Sequence, residues 1–252
     1  MSEEKVLRLA SLEENPSVHQ IRGRMATLLD YYEDSNDFQS LASFMYVYHS
    51  VTSSVADHMI ERDGFFDHPD ELESLDAEFA ELYFSPLRDF IREDKTPEPW
   101  ETYFKYCSRD DSRPAVEMLL GINAHINADL LHALHIQDYR DREDYQRINE
   151  ILEEQLQRAM IYLARKHDIA GVFGMVDRKM AYREFRNLVV RWREDTWKNY
   201  QKICEDEWEE HQEEIFKETE SVGRKIVQLE EEFNYLNLYK TIRKANELEV
   251  KI

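Results

Sequence analysis

Apolar residues recur at three- and four-residue steps along most of the chain, the period of a helix with one buried face. Leu41, Phe44, Met45, Tyr48, Val51, Thr52, Val55 and Met59 make one such stripe. Leu72, Leu75, Phe79 and Leu82 make a second, and Tyr145, Ile148, Leu152, Leu156 and Leu163 a third. Breaks fall between them at Asn15-Pro16, Asp63-Gly64, Thr96-Pro97-Glu98-Pro99, Arg113-Pro114 and the pair Gly171 and Gly174. Ser35-Asn36-Asp37 offers side-chain oxygens that accept from free backbone N–H groups at a helix start. The pattern predicts helices over about 17–32, 37–61, 70–92, 99–108, 114–135 and 141–167, and from about 177 nearly to the end. Pro86 predicts a kink or split in the third, because proline removes a backbone donor and crowds the preceding turn. Gly223 is the expected break in the last.

The fold class that follows is all-α: a multi-helix bundle around a buried central helix at about 114–135, with a long acidic C-terminal helical extension. Residues 1–16 read as a mobile leader, 17–176 as the helical core domain and 177–252 as a C-terminal helical region. In that last region Ile226, Leu229, Phe233 and Leu236 form an apolar seam. It either packs on the core or makes a homo-oligomer through the C-terminal helices.

The central helix decides where chemistry is to be sought. Successive residues turn by about 100°. Val116, Leu119, Leu120, Leu130, Leu131 and Leu134 then share one side, with Asn123 and Asn127 in its middle. Met118, His125, Asp129 and His132 fall on the opposite side. A helix apolar or small nearly all round is buried, so each polar residue on it needs a specific partner or a wet cavity. His125 and Asp129, one turn apart, can hold a metal ion or act as an oriented base pair, with His132 facing the same space. A hydrogen-bonded pair with only a structural role is the commoner case at this spacing. Elsewhere, Asp76 sits at the edge of its helix stripe beside Tyr83, Asn149 lies within another stripe, and Asp144 lies just outside it.

Composition narrows the classes. The 252 residues carry a net charge of −21, which repels the phosphates of nucleic acid and of anionic lipid. No nucleic-acid partner and no membrane partner is expected. The two cysteines, Cys107 and Cys204, form no metal-spaced pair, and no signal peptide or membrane span is read, so the expected location is cytoplasmic. Phosphate-binding loops, dinucleotide glycine motifs and the Gly-x-Ser-x-Gly elbow do not occur.

Five segments resemble a bacterial helical family known only as a domain of unknown function. They are Tyr48 with Val51-Thr52, Leu75-Asp76-x-x-Phe79-Ala80-x-x-Tyr83-Phe84, Pro99-Trp100, the stretch from Gly121 to Leu130, and Asp144-Tyr145-x-x-Ile148-Asn149. Asn-Ala-His-Ile-Asn-x-Asp-Leu, residues 123–130, is the specific part. The likeness covers roughly residues 36–165 and brings no activity with it. It implies that Thr52, Asp76, Asn123, His125, Asn127, Asp129 and Asn149 belong to one constellation.

Two functional readings follow. In the first, a metal-dependent enzyme of hydrolase type uses His125, Asp129 and His132 as ligands to zinc, iron or manganese, with Asp76 or Asp144 as alternatives. The metal activates a water, and Asp76, Asn123, Asn127 and Asn149 act on a small-molecule substrate. In the second, the chain is a non-catalytic scaffold or small-ligand binder whose buried Asn/His/Asp network is structural.

Overall fold

The computed structural model describes residues 2–61, 64–166, 178–203 and 208–233. Among them every regular element is helical and there is no strand. In chain order these are α1 (Ser2–Leu9), α2 (Val18–Asp34), a 3₁₀ turn (Gln39–Leu41), α3 (Ala42–Glu61), α4 (Pro69–Ile91) and α5 (Glu98–Cys107). Next come α6 (Pro114–Ala124), a π segment (His125–Asp129), α7 (Leu130–Ile136), α8 (Arg142–Lys166), α9 (Arg178–Lys202) and α10 (Trp208–Phe233).

Local chemistry fixes the helix starts. Ser17 caps α2 in a reciprocal box with Gln20, satisfying two backbone donors at once. Proline occupies the first position of α4 and α6, where its missing N–H costs nothing. The approach to α4 is held from a distance: the Asp144 carboxylate accepts from the backbone N–H groups of Asp67 and His68 at 2.9 and 2.8 Å. Asp144 is thus a structural anchor, itself fully buried.

The central rod runs from α6 through the π segment to α7. Every residue from Ala115 to Leu131 is buried, as its all-round apolar character requires. It packs against α3, α4, α5, α9 and α10. Gly121 sets the spacing to α3: a Cβ built there would meet the Phe44 ring at 2.4–2.7 Å, so only glycine lets the two helices approach this closely. Tyr83, Trp100, Tyr103 and Phe104 complete an aromatic cluster around Phe44.

Three sequence expectations change. Residues 1–16 include a helix whose Val6 and Ala10 are wholly buried, so much of the leader is part of the body. Pro86 neither splits nor ends α4, which continues to Ile91. Gly223 lies inside α10 rather than breaking it. It marks a close approach, with an added Cβ falling 3.3 Å from Thr102 Cγ2. The acidic helix α10 lies along α5 and the central rod, with Ile226 buried. Cys204, the loop glycines 171 and 174 and Leu236 lie outside the described residues. No helix among the described residues is long and apolar enough to cross a membrane.

Candidate functional site: a buried histidine on an apolar cavity

The site is built from the point where the central rod changes its winding. Leu130 N–H donates to His125 O, an i to i+5 bond that widens the turn. Such single π turns are frequent where a helix carries function. Here the turn holds His125 and Asp129 face to face, with Nδ1 2.9 Å from Oδ2. Both residues are 4 % exposed. The Trp100 indole N–H lies 3.2 and 3.1 Å from the two Asp129 oxygens. The imidazole is clamped flat on Phe79, with ring centroids 3.5 Å apart and planes at 11°, and the Tyr48 ring lies 4.3 Å away.

Burial disfavours charge on both members of the pair. It holds the His125 imidazole well below its ordinary pKa. It pushes the Asp129 carboxyl well above the usual range, against the smaller opposing pull of the Trp100 N–H. Both directions favour an uncharged pair in which one proton bridges Nδ1 and Oδ2. Nε2 then carries the one N–H of the neutral ring and is a donor. It has no partner in the protein.

His125 lines a cavity of about 80 Å³ enclosed by α3, α4, the central rod, α8 and α9. Its walls are mostly aliphatic and aromatic, including Val51, Leu75, Phe79, Ile122, Ile148 and Leu152. Against them stand Tyr48, Thr52, Asp76, His125 and Arg193. The Tyr48 hydroxyl and Asp76 Oδ2 are enclosed and, like His125 Nε2, lack protein partners. Burial raises the Asp76 carboxyl to about 7, assisted by the Glu73 charge. Tyr48 is also raised, first by burial and then by Asp76 and Asp129, so it stays a neutral hydroxyl. An apolar cavity with a few convergent polar groups is the usual form of a small-molecule site.

The predicted residues separate into groups. His125, Asp129 and Asp76 come together, with Thr52 beside them. Asn123 and Asn127 face α10 instead: Asn127 Nδ2 donates to Asn123 Oδ1 at 2.9 Å, and Asn123 Nδ2 donates to Thr219 O at 2.9 Å. Asn149 accepts from Arg193 Nε at 2.9 Å and so acts on the cavity through that arginine. His132 does not join His125 and Asp129. A π turn places one extra residue in the helix and offsets everything beyond it by roughly 100°. His132 therefore meets α10, where its ring lies 5.4 Å from that of Trp208 and its Nδ1 3.3 Å from Gln212 Nε2. Burial and the neighbouring His135 lower its pKa.

Among the described residues, the group of three metal-capable side chains found together is elsewhere: His68, Asp141 and Asp144. His68 Nδ1 lies 2.5 Å from Asp141 Oδ2, and that bond raises the His68 pKa. Arg147 already bonds Asp144 there, so a cation occupies the charge. At the cavity, the Asp76 carboxylate and His125 Nε2 are the groups left to hold a metal, the latter only in the other tautomer, with the ring hydrogen on Nδ1 donated to Asp129.

Sequence reasoning missed Arg193. Its signal was a cation set beside an inward stripe, since Phe185, Leu188, Val189 and Trp192 are all buried.

Over residues 18–229 the sequence matches a family described as Family of unknown function (DUF5995). The chain belongs to that family. Within the matched span lie the His125–Asp129 pair, Trp100 and every residue that lines the cavity. No curated protein and no solved structure matches the chain.

Proposed function

We propose that this family member binds a small molecule in the α3–α4–α8–α9 cavity, with His125 as one of its hydrogen-bonding contacts. The observation that carries this reading is the unpartnered Nε2 of a fully buried, rigidly clamped imidazole beside an apolar cavity. A buried donor without an acceptor costs about 1–3 kcal/mol. A ligand with an apolar body and one oxygen acceptor removes that cost and covers the aliphatic walls. Asp129 and Trp100 then serve to fix the ring's proton and orientation rather than to touch the ligand.

The enzyme reading draws on one further observation. Asp76 titrates near neutrality on the same cavity as His125, and an acid poised near the working pH suits proton transfer. A metal-dependent hydrolase would have to use Nε2 and Asp76, because Nδ1 is engaged by Asp129 and His132 is turned away. Elemental analysis of protein purified without added metal, against His125→Ala, tests it. Loss of a stoichiometric metal in the variant would support the metal version, and no metal in either sample would count against it.

The binding reading is tested by nuclear magnetic resonance titration with cyclopentanone and with cyclopentane as the purely apolar control. The expected result is a shift of Ile122, His125 and Ile148 by both compounds, with tighter binding of the ketone. His125→Phe should abolish the ketone's advantage and leave the hydrocarbon unaffected. If neither compound perturbs those residues, the proposal fails.

A further inference from the structure

Arg193 is the cation among the residues that line the cavity, and among the described residues it makes no salt bridge. The side chain is 4 % exposed. Its Nε donates to Asn149 Oδ1 at 2.9 Å, one terminal nitrogen donates to the Tyr145 carbonyl at 3.1 Å, and its Cζ lies 4.3 Å from the Tyr145 ring centroid. All of these partners are neutral. The nearby carboxylate of Glu194 is taken by Arg142 on one oxygen and by Asn149, at 3.5 Å, on the other. The ion pairs of α9 include Arg142–Glu194, Arg186–Glu153 and Lys198–Asp195, and among the described residues Arg193 makes none. Asp76 shares the cavity without pairing with it, its charge being governed by burial and Glu73. A buried guanidinium whose hydrogen bonds go to neutral groups, with the Glu194 charge acting on it without a direct bond, is weakly compensated and is suited to accept an anion.

We propose that the ligand of this cavity is a small monocarboxylic acid, bound as the anion with its carboxylate on Arg193 and its apolar body against the aliphatic walls. This rests on the cavity being a ligand site. The class follows from the lining. One guanidinium balances one negative charge, and among the described residues the lining includes no lysine and no second arginine for a phosphate dianion. The Ile148, Leu152 and Val189 side chains favour a hydrocarbon body over a polyol. Tyr145 and Asn149 are positioning residues, since they hold the guanidinium against the wall.

The test compares cyclopentanecarboxylate with cyclopentanecarboxamide, which share shape and differ in charge, by calorimetry and by chemical-shift mapping on the wild-type protein. The acid is expected to bind at least about tenfold more tightly and to shift Ile148 and Val189. Arg193→Gln should remove that preference, and Arg193→Lys should retain part of it. Equal affinity of the two compounds for the wild-type protein overturns the carboxylate assignment and leaves the cavity reading standing. Shifts confined to surface lysines overturn it in the same way. If neither compound perturbs Ile148 or Val189, the cavity reading falls with it. The wild-type comparison decides the matter even if an Arg193 variant does not fold.

Discussion

Burial acts on single residues of this site by removing the water that would otherwise support their charge. Asp76 shows the consequence for stability. Its folded pKa of about 7 lies above the unfolded value near 3.9, so the folded state binds more protons between those limits. Stability from this group is fully present below about pH 4 and is lost as pH rises through about 7. Asp76→Asn should therefore raise stability at pH 8 by on the order of 1–2 kcal/mol, allowing for partial exposure, and change it little at pH 4. Urea denaturation at the two pH values measures this, and an equal effect at both would contradict the assignment. Trp100→Phe removes the indole donor to Asp129 and leaves a small void against Phe44, Tyr83 and Tyr103. A loss of about 2–4 kcal/mol is expected from the same assay, the hydrogen bond and the void both contributing. The sequence showed that His125 and Asp129 were one turn apart and buried. It could not show that Trp100 and Phe79 fix them, because those contacts come from other helices.

Elements obey the sequence pattern where period alone decides, and depart from it where a neighbour intervenes. The predicted helices at 70–92, 99–108 and 141–167 match α4, α5 and α8 to within a residue. The π segment was not legible, because the residues 125–129 contain no proline or glycine to announce it. That one widened turn carried His132 away from the pair it was expected to join. Asn123 and Asn127 were read as network or site residues, and their partner, a backbone carbonyl of α10, lies far along the chain. Asn123→Ala should loosen α10 and cost about 1–3 kcal/mol, seen as earlier hydrogen exchange in that helix. The two buried glycines separate two effects. Gly121→Ala forces a methyl into the Phe44 ring and should cost about 2–4 kcal/mol. Gly223→Ala meets only a methyl at 3.3 Å and gains about 1 kcal/mol of helix propensity, so its net effect should stay within about 1 kcal/mol. Thermal melts followed by circular dichroism would rank them, and a Gly223 effect as large as that of Gly121 would contradict the packing described.

The whole molecule is a set of helices wrapped on one central rod, and its cavity lies where five segments meet. Residues distant in sequence, Tyr48, Asp76, His125 and Arg193, reach it from α3, α4, the rod and α9. The sequence wheel identified the first three as inward or boundary residues but could not show that they face one space. Arg193 escaped notice because it neighbours a stripe in a region read mainly as acidic tail. The net charge of −21 bears on the account too: a protein this acidic repels an anion at long range. Binding of a carboxylate therefore has to come from the local cation, and raising salt should not weaken it as it weakens surface pairing.

The central claim is that His125 is a neutral, clamped imidazole whose Nε2–H awaits an acceptor. Ring-nitrogen magnetic resonance of histidine-labelled protein addresses it directly, before and after addition of cyclopentanone. The account predicts that the His125 ring keeps its Nε2 proton, stays neutral through the range where an ordinary histidine titrates, and moves when the ketone is added. A His125 ring that titrates near 6.5, or that ignores the ligand, would contradict it.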